Sequence, residues 1–319
     1  MKALVEDGRF SYVFSGSMLG TEFKGISSFP VGYVEHIVMR PMDFEEFCWA
    51  NSVSENVLAG IRSCLVEKRP VENYIHEAML KNYRAYIVCG GMPEVVQNYI
   101  DSGYSLVRTR ELQTQLVDQY KSDISKYAST RAFNVRSLFE QIPVQLGVGL
   151  MVARVTEPRS PLKRTEKTTA FKLYESDTGM LASRYPGSTA RAVYLDMKTP
   201  NLGGLYENVV AQELVALGAD AWYYQTREVG EVDFVIEGAH GHVVPIEVKS
   251  GKKVRAHAAL DRLMSVGEYK IPEAVVLSHE NLSKEGKVLY VPIYMTFCLD
   301  EFMEKDDPNN DFSFAPISL

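Results

Sequence analysis

The chain has 319 residues, of which 46% are hydrophobic and 24% are charged, and its formal net charge is −7. This composition is ordinary for a globular protein, and the length suffices for two domains that each bury a core. The negative balance means that the field of the whole molecule does not attract nucleic acid, so any such binding would depend on local basic patches.

No apolar run approaches the length needed to cross a bilayer, and the first residues lack the profile of a signal peptide. We therefore expect a cytoplasmic protein with no membrane contact. The four cysteines show no paired spacing, which predicts free thiols in a reducing compartment rather than disulfides or a zinc site. They are Cys48, Cys64, Cys89 and Cys298.

The N-terminal part contains two segments that alternate like strands, at residues 9–17 and 33–39. An apolar strand over residues 9–17 would be an exposed sheet edge, which predicts self-association or a partner chain that covers it. Asp43 followed by Glu46 is a capping-box pattern, and it predicts a helix within residues 41–50.

Residues 51–147 have a mostly helical pattern, and the segment after them does not. The predicted helices run over residues 72–89, 94–100, 110–126 and 134–146, with Gly90 ending the first and Pro93 opening the second. Residues 148–170 are basic, contain Pro158 and Pro161 and show no clear period. They predict a linker or an abbreviated module.

The C-terminal part alternates between strand and helix patterns. Its order of helix, three strands, helix and strand predicts a mixed sheet flanked by helices. The predicted strands cover residues 171–177, 221–226, 231–237, 242–248 and 274–278, and the helices cover residues 205–217 and 257–266, with a last strand–helix pair over residues 288–305.

Two adjacent strands of this part hold the residues with the clearest chemistry. Asp233 lies in the first strand, and Glu247 and Lys249 lie two apart in the second, so these two project from one face. Two carboxylates and a lysine form a divalent-metal site of the kind that cuts phosphodiesters. Glu207, on the preceding helix, would complete the cluster from the opposite side.

Mg²⁺ usually takes one or two carboxylates from a protein and keeps several waters. Asp233 and Glu247 fit this role, and the backbone carbonyl of Val248 is a candidate third ligand. Lys249 would orient or polarise the attacking water, or stabilise charge on the phosphate.

The competing interpretation is an exposed hairpin whose charges serve solubility, with Glu247 and Lys249 as a simple ion pair. The apolar residues between these charges favour the metal site, because they imply burial of one strand face. The strand also ends at a loop, where functional groups collect in open sheets.

Other residues allow both functional and structural readings. The basic stretches 154–172 and 249–255 are either nucleic-acid contacts or solvated loops, and Trp222, Tyr223 and Tyr224 either stack on bases or fill the core.

Asp233 followed by Glu247, Val248 and Lys249, behind a helix with Glu207, resembles the motif of the PD-(D/E)XK nuclease superfamily. The whole chain resembles a group of prokaryotic AAA-family ATP-binding proteins whose C-terminal domain of unknown function has this nuclease-like core. The segments that carry this resemblance are residues 13–20, 39–47, 90–96, 120–124, 171–181 and 207–213.

The resemblance implies an α/β fold with four parts. These are a remnant of the AAA+ ATPase core in residues 1–50, a helical lid-like region in 51–147, a linker or abbreviated winged-helix region in 148–170, and a mixed-sheet PD-(D/E)XK nuclease-like domain in 171–319. It also implies Mg²⁺ as a cofactor and nucleic acid as a partner.

The sequence departs from this family at the nucleotide site. Such ATPases have a phosphate-binding loop and an acidic Walker B strand before the Ser-Gly-Ser segment, and neither is present in this sequence. Ser15 or Ser17 would occupy the position that senses the γ-phosphate, but without a nucleotide to sense. We therefore expect a truncated member that binds or acts on nucleic acid and has no ATPase activity of its own.

Two alternative functions remain open. One is a Mg²⁺-dependent DNA endonuclease with Asp233, Glu247, Lys249 and Glu207 as catalytic residues. The other is a non-catalytic protein-binding module.

ATP is predicted not to bind the purified chain, because the sequence offers no lysine-bearing loop to hold the β- and γ-phosphates. Isothermal titration calorimetry with Mg-ATP should show only heats of dilution. A micromolar site would contradict this prediction.

Overall fold

A computed structural model describes residues 37–127, 150–197, 202–251 and 254–303, without the side chains of residues 123–127. The backbone divides into two units, residues 1–40 and residues 41–319. In the first unit only residues 37–40 are described, and they form neither helix nor strand. The strand predicted at residues 9–17, most of that at 33–39, the helix at 134–146 and Ser15 lie outside the described residues.

Residues 41–127 are helical, as the sequence pattern predicted. Asp43 caps the first helix: its Oδ1 accepts from the Glu46 N–H at 2.8 Å, and Glu46 Oε2 accepts from the Asp43 N–H at 3.1 Å. Pro93 opens the fourth helix at its first turn. The helices are α1 (Phe44–Ala50), α2 (Glu55–Glu67), α3 (Asn73–Cys89), α4 (Pro93–Asp101) and α5 (Leu106–Tyr127). No helix of the described residues is long and apolar enough to cross a membrane.

The rest of the described chain is built on one eight-stranded mixed sheet with the strand order β2-β1-β3-β4-β5-β6-β8-β7. The pairs β1–β3, β5–β6 and β6–β8 are parallel, and the other neighbouring pairs are antiparallel. The strands are β1 (Leu150–Val155), β2 (Glu166–Tyr174), β3 (Ala221–Thr226), β4 (Gly230–Glu237), β5 (Val243–Val248), β6 (Ala274–Ser278), β7 (Ser283–Glu285) and β8 (Val288–Pro292).

Four α-helices of the described chain accompany this sheet: α6 (Thr178–Arg184), α7 (Gly187–Tyr194), α8 (Gly203–Ala216) and α9 (Ala258–Ser265). Short 3₁₀ segments lie at Leu162–Thr165, Ala239–Gly241, Gly267–Tyr269 and Ile293–Phe302. The succession α8, β3, β4, β5, α9, β6 confirms the order that the sequence predicted.

Residues 150–170, the described part of the segment 148–170, are not a linker. They supply β1 and the start of β2, which extend the sheet beyond β3. The start of β2 was missed because most of its side chains lie outside the core at the sheet edge, so its sequence lacks a clear apolar alternation, whereas its end at residues 171–174 falls within the predicted strand 171–177. The part of the chain assigned to the α/β domain therefore begins about twenty residues earlier than predicted.

Both faces of the sheet are covered by apolar side chains. One face, called here the α8 face, contributes Phe234, Ile236 and Ile246 to the core shared with α8 and the helical part. The other, the α9 face, contributes Val232, Val235 and Val276 to a second core that includes Leu260 and Leu263 of α9. Residues 41–50 and 51–127 thus belong to the same compact unit as the sheet, rather than to separate domains.

Close backbone approaches occur within the helical part and between it and the α/β part. A Cβ on Gly91 would lie 2.0 Å from the Met42 carbonyl oxygen, and one on Gly179 would lie 2.1 Å from the Cys89 carbonyl oxygen. Asp177 caps α6 and also accepts from the Gly91 N–H at 2.6 Å. Gly91, Gly179 and Asp177, which lie in the Gly-Gly-Met-Pro and Glu-Ser-Asp-Thr-Gly runs, are therefore required for packing.

Glu213 of α8 closes the same junction from the interior. Its carboxylate accepts from the Phe44 N–H at 3.1 Å and lies 2.8 Å from the Tyr86 hydroxyl. That hydroxyl is also 2.8 Å from the Met42 carbonyl oxygen, and it accepts from the Gln212 amide at 2.8 Å. A single hydroxyl proton cannot serve two acceptors, so one of these contacts requires a proton on Glu213.

Burial supports this assignment, because it raises the pKa of Glu213 to about 8 together with the charge of Asp43, although the hydrogen bonds from Tyr86 and Phe44 oppose the shift. The Tyr86 hydroxyl thus lies between the protonated Glu213 carboxyl and the Met42 carbonyl oxygen, 2.8 Å from each. The start of α1 is therefore tied to α8 by a neutral hydrogen-bonded chain.

Replacement of Glu213 by Gln is expected to flatten the pH dependence of stability. The folded protein holds the Glu213 proton up to about pH 8, whereas the unfolded chain releases it near the ordinary pKa of 4.5. Wild-type stability should therefore fall as the pH rises between these values, by up to a few kcal/mol at about 1.36 kcal/mol per pKa unit. Urea denaturation at several pH values between these limits measures the effect.

Asp177 and Glu175, whose pKa values are also raised by burial, are present in both proteins, so their contributions cancel in the comparison. Parallel stability curves for wild type and Glu213→Gln would contradict the assigned proton.

Candidate metal site at the end of the β4–β5 hairpin

The β4–β5 hairpin brings Asp233 and Glu247 next to each other. Phe234 pairs with Ile246, and continuing this register by one residue places Asp233 opposite Glu247. On its other side, β4 carries one residue more than β3, since Trp222 pairs with Val235 but Tyr224 pairs with Val232. This β-bulge spans Asp233 and Phe234, and such bulges redirect a side chain out of the regular alternation.

Asp233 is bound where the two strands separate. Its Oδ2 accepts from the backbone N–H of Val248 at 2.8 Å. Burial, followed by the charges of Glu247 and Glu207, raises its pKa to about 8, although the Val248 bond and the charge of Lys172 oppose this. The carboxyl therefore sits among other acids and is ready to lose its proton when a cation approaches.

Glu247, on β5, and Lys249, which directly follows that strand, form an ion pair with 2.8 Å between Lys249 Nζ and Glu247 Oε1. The Glu247 residue is only 7% exposed, and its other oxygen, Oε2, is buried without a hydrogen-bond partner among the described residues. A buried carboxylate oxygen with no donor is costly unless a cation or water satisfies it. The pair is thus not the solvated surface ion pair of the competing interpretation.

The four predicted site residues divide between the two faces of the sheet. Glu247 pairs with Val276 of the α9 face, whereas Val248 packs against the core of the α8 face. Glu207 approaches from the α8 face, and Asp233 in the bulge is electrostatically coupled to both acids. The cluster is therefore centred on Asp233.

These residues fit a single Mg²⁺ ion. The described residues contain no group of three or more His, Cys, Asp or Glu side chains with the arrangement of a metal site. Mg²⁺ needs only one or two carboxylates, and Asp233 and Glu247 supply two, one of them with an unsatisfied oxygen. Because a strand residue directs its N–H and C=O to the same side, the Val248 carbonyl points towards β4 as its N–H does.

Glu207 contacts residues that the sequence analysis did not assign to the site. Its Oε2 accepts from the Tyr174 hydroxyl at 3.0 Å and lies 3.3 Å from Lys172 Nζ, which is also 2.6 Å from Glu231 Oε1. Lys172 and Tyr174 lie on the part of β2 that falls within the predicted strand at residues 171–177, but their contact with Glu207 was not predicted. Alternation of Lys172 and Tyr174 on one face was the available signal.

Most of the other candidate residues that the structure describes are buried in the core or paired with acids of the same chain. Trp222, Tyr223 and Tyr224 are buried in the core, so none presents an open stacking surface. Several cations of the basic stretches are paired with acids: Arg159 with Glu268, Lys163 with Glu166, and Arg255 with Glu280 and Glu285. The four cysteines are free and buried.

Two family models match parts of the chain. One is described as a domain of unknown function, DUF4143, and matches residues 202–295; such domains are found in AAA-ATPase-associated proteins. The other, a domain of unknown function named DUF8612, matches residues 80–158. Each covers less than a third of the chain. The comparisons with curated proteins and with solved structures found no match.

The first match contains α8, the hairpin and α9, and with them Glu207, Asp233, Glu247 and Lys249. Lys172 lies outside both matches.

Binding of Mn²⁺ at this site is expected to tighten as the pH rises towards 8, because Asp233 must lose its proton to become a ligand. Release of one proton gives about a tenfold gain in affinity per pH unit below that pKa. Calorimetric titrations at two pH values, in buffers of different ionisation enthalpy, measure both the affinity and the proton release. Asp233→Asn is the control and should lose the pH dependence together with most of the affinity. A pH-independent affinity in wild type would contradict the role of Asp233.

Proposed function

We propose that the segment from α8 to β6 is a Mg²⁺-dependent site of the nuclease type, which hydrolyses a phosphodiester of nucleic acid. The observation that carries the proposal is the buried pair Asp233 and Glu247, with an unsatisfied carboxylate oxygen, beside the ammonium of Lys249. Two acids and a lysine at the separating ends of a hairpin suit this chemistry better than they suit a structural ion pair.

The topology gives separate support. The antiparallel strands β3, β4 and β5, followed by β6 parallel to β5, lie between α8 on one face and α9 on the other. This is the arrangement that the resemblance to the PD-(D/E)XK superfamily implies. The DUF4143 match adds that domains of this kind are found with AAA ATPases, so we place the proposed activity in such an association.

The residues divide the reaction between them. Asp233, Glu247 and the Val248 carbonyl would hold the ion, which would lower the pKa of a bound water and neutralise charge on the phosphate. Lys249, 2.8 Å from Glu247, is placed to stabilise the negative charge that develops on the phosphate oxygens. In the hydrolysis a water molecule gives up a proton to solvent as its oxygen bonds to phosphorus, the bond from phosphorus to the leaving sugar oxygen breaks, and that oxygen gains a proton from solvent.

A non-catalytic binding module is the second candidate, and one observation favours it. Cations of both basic stretches are paired with acids of the same chain, which leaves less positive surface to hold a nucleic-acid backbone. In that case the acids and Lys249 would serve a partner surface rather than a reaction.

Cleavage assays separate the two candidates. Wild type should cut single-stranded or plasmid DNA with Mg²⁺ or Mn²⁺, and Asp233→Asn, Glu247→Gln and Lys249→Ala should each lower the rate by about 100-fold or more. Lys81→Ala, at an exposed position of α3, is the matched control and should leave the rate unchanged. Equal background cleavage by wild type and Lys249→Ala would show that the site is not catalytic and would favour the binding module.

A further inference from the structure

Lys172 bridges two carboxylates on the α8 face. Its Nζ lies 3.3 Å from Glu207 Oε2 on α8 and 2.6 Å from Glu231 Oε1 on β4. These two acids come from different elements, so the ammonium joins the helix to the sheet next to Asp233. Its position is that of a cation shared by two acids.

The surroundings of Lys172 hold it in this position. Its side chain is 20% exposed, and its ammonium lies 5.4 Å from the ring centre of Tyr223. Burial alone would lower the pKa of Lys172, but the charges of Glu207, Glu231 and Asp233 outweigh it and raise the pKa above its ordinary value. The lysine is therefore a permanent cation at neutral pH.

The acids around Asp233 outnumber the lysines. Four carboxylates (Glu207, Glu231, Asp233 and Glu247) and two ammonium groups (Lys172 and Lys249) meet at this end of the hairpin. Without Lys172, Glu207 and Glu231 would lose the ammonium that each of them contacts. Such paired carboxylates bind a divalent ion or a proton.

We propose that the ammonium of Lys172 takes the place of a second divalent ion at the site. It occupies the position where Glu207 and Glu231 would otherwise bind that ion. The inference rests on the proposed function, since it describes how that site is charged. The wild-type site then takes one divalent ion, at Asp233 and Glu247. Two-metal phosphodiesterases use a second metal ion to stabilise the opposite oxygen of the reaction, and here a lysine replaces that ion.

Because Lys172 lies on β2, the proposed site depends on the hairpin that β1 and β2 form. Lys172 pairs with Val152 across that hairpin, outside the α8–β6 segment that supplies the other site residues. Loss of β2 would leave Asp233, Glu247 and Lys249 in the chain but remove the second cation.

The stoichiometry of Mn²⁺ binding tests the proposal. Wild type should bind one Mn²⁺, and Lys172→Gln should bind two, because the neutral amide no longer compensates Glu207 and Glu231. Lys172→Arg keeps the charge and should bind one, as should Lys167→Gln, a matched control at an exposed position of the same strand. Calorimetry gives the number of sites, and electron paramagnetic resonance of free Mn²⁺ gives an independent count. Circular dichroism establishes that each variant is folded, and Lys172→Met, which keeps the apolar stem, serves if the glutamine variant is not.

The outcomes separate this inference from the proposed function. One Mn²⁺ in both wild type and Lys172→Gln would overturn the role of Lys172 and leave the proposed metal site intact. No Mn²⁺ in wild type but one in Lys172→Gln would support Lys172 as the occupying cation and overturn the site at Asp233 and Glu247. No Mn²⁺ in either protein would overturn both.

Discussion

The hydrogen bond from the Val248 N–H to the Asp233 carboxylate determines the form of the site. In a regular hairpin this N–H would donate to a backbone carbonyl of β4, and the ladder would continue. The bulge in β4 brings a side-chain oxygen into that place, so backbone pairing ends and β4 and β5 separate. An acid is thereby fixed at the point of separation, and its neighbours on both faces, Glu247 and Glu207, are close enough to raise its pKa.

Charge compensation at this point comes from two lysines of different origin. Lys249 directly follows the strand that contains Glu247, so the ion pair between them is local and could be predicted from the sequence. Lys172 comes from β2, at the far side of β1 and β3 in the sheet, and reaches Glu207 and Glu231 through the fold. Each lysine neutralises acids on one face, and Asp233 between them is the group whose proton a divalent ion would displace.

The C-terminal elements could be predicted because their signals are local. The period of α8, the alternation of β4 and β5 and the stop at Gly218 are contained in short windows of sequence, and the observed bounds differ from the predicted ones by one or two residues. The pairing of Asp233 with Glu247 followed from two adjacent strands. In contrast, the β3–β4 bulge depends on pairing between strands, and the contribution of Lys172 depends on which strand neighbours β3. Neither is encoded in a window of sequence.

The residues at the junction between the helical part and the α/β part were singled out in the sequence only because they carry the family resemblance. The runs around Gly90, Asp177 and Glu213 carried the family resemblance, but their chemistry was not assigned. The structure gives them a packing role: two backbones in contact where a Cβ would clash, an aspartate that caps a helix, and a buried acid that holds a proton. Such roles require knowledge of what lies across the interface, and a single sequence does not contain it.

Helix α8 connects the junction around Glu213 with the candidate metal site around Asp233. Glu207 and Glu213 stand six residues apart on it, about 9 Å along its axis at 1.5 Å per residue. Most side chains of this helix are buried, so it is closely packed along its whole length. Glu213, which binds Phe44 and Tyr86, and Glu207, which lies close enough to Asp233 to raise its pKa, are therefore positioned by one buried helix.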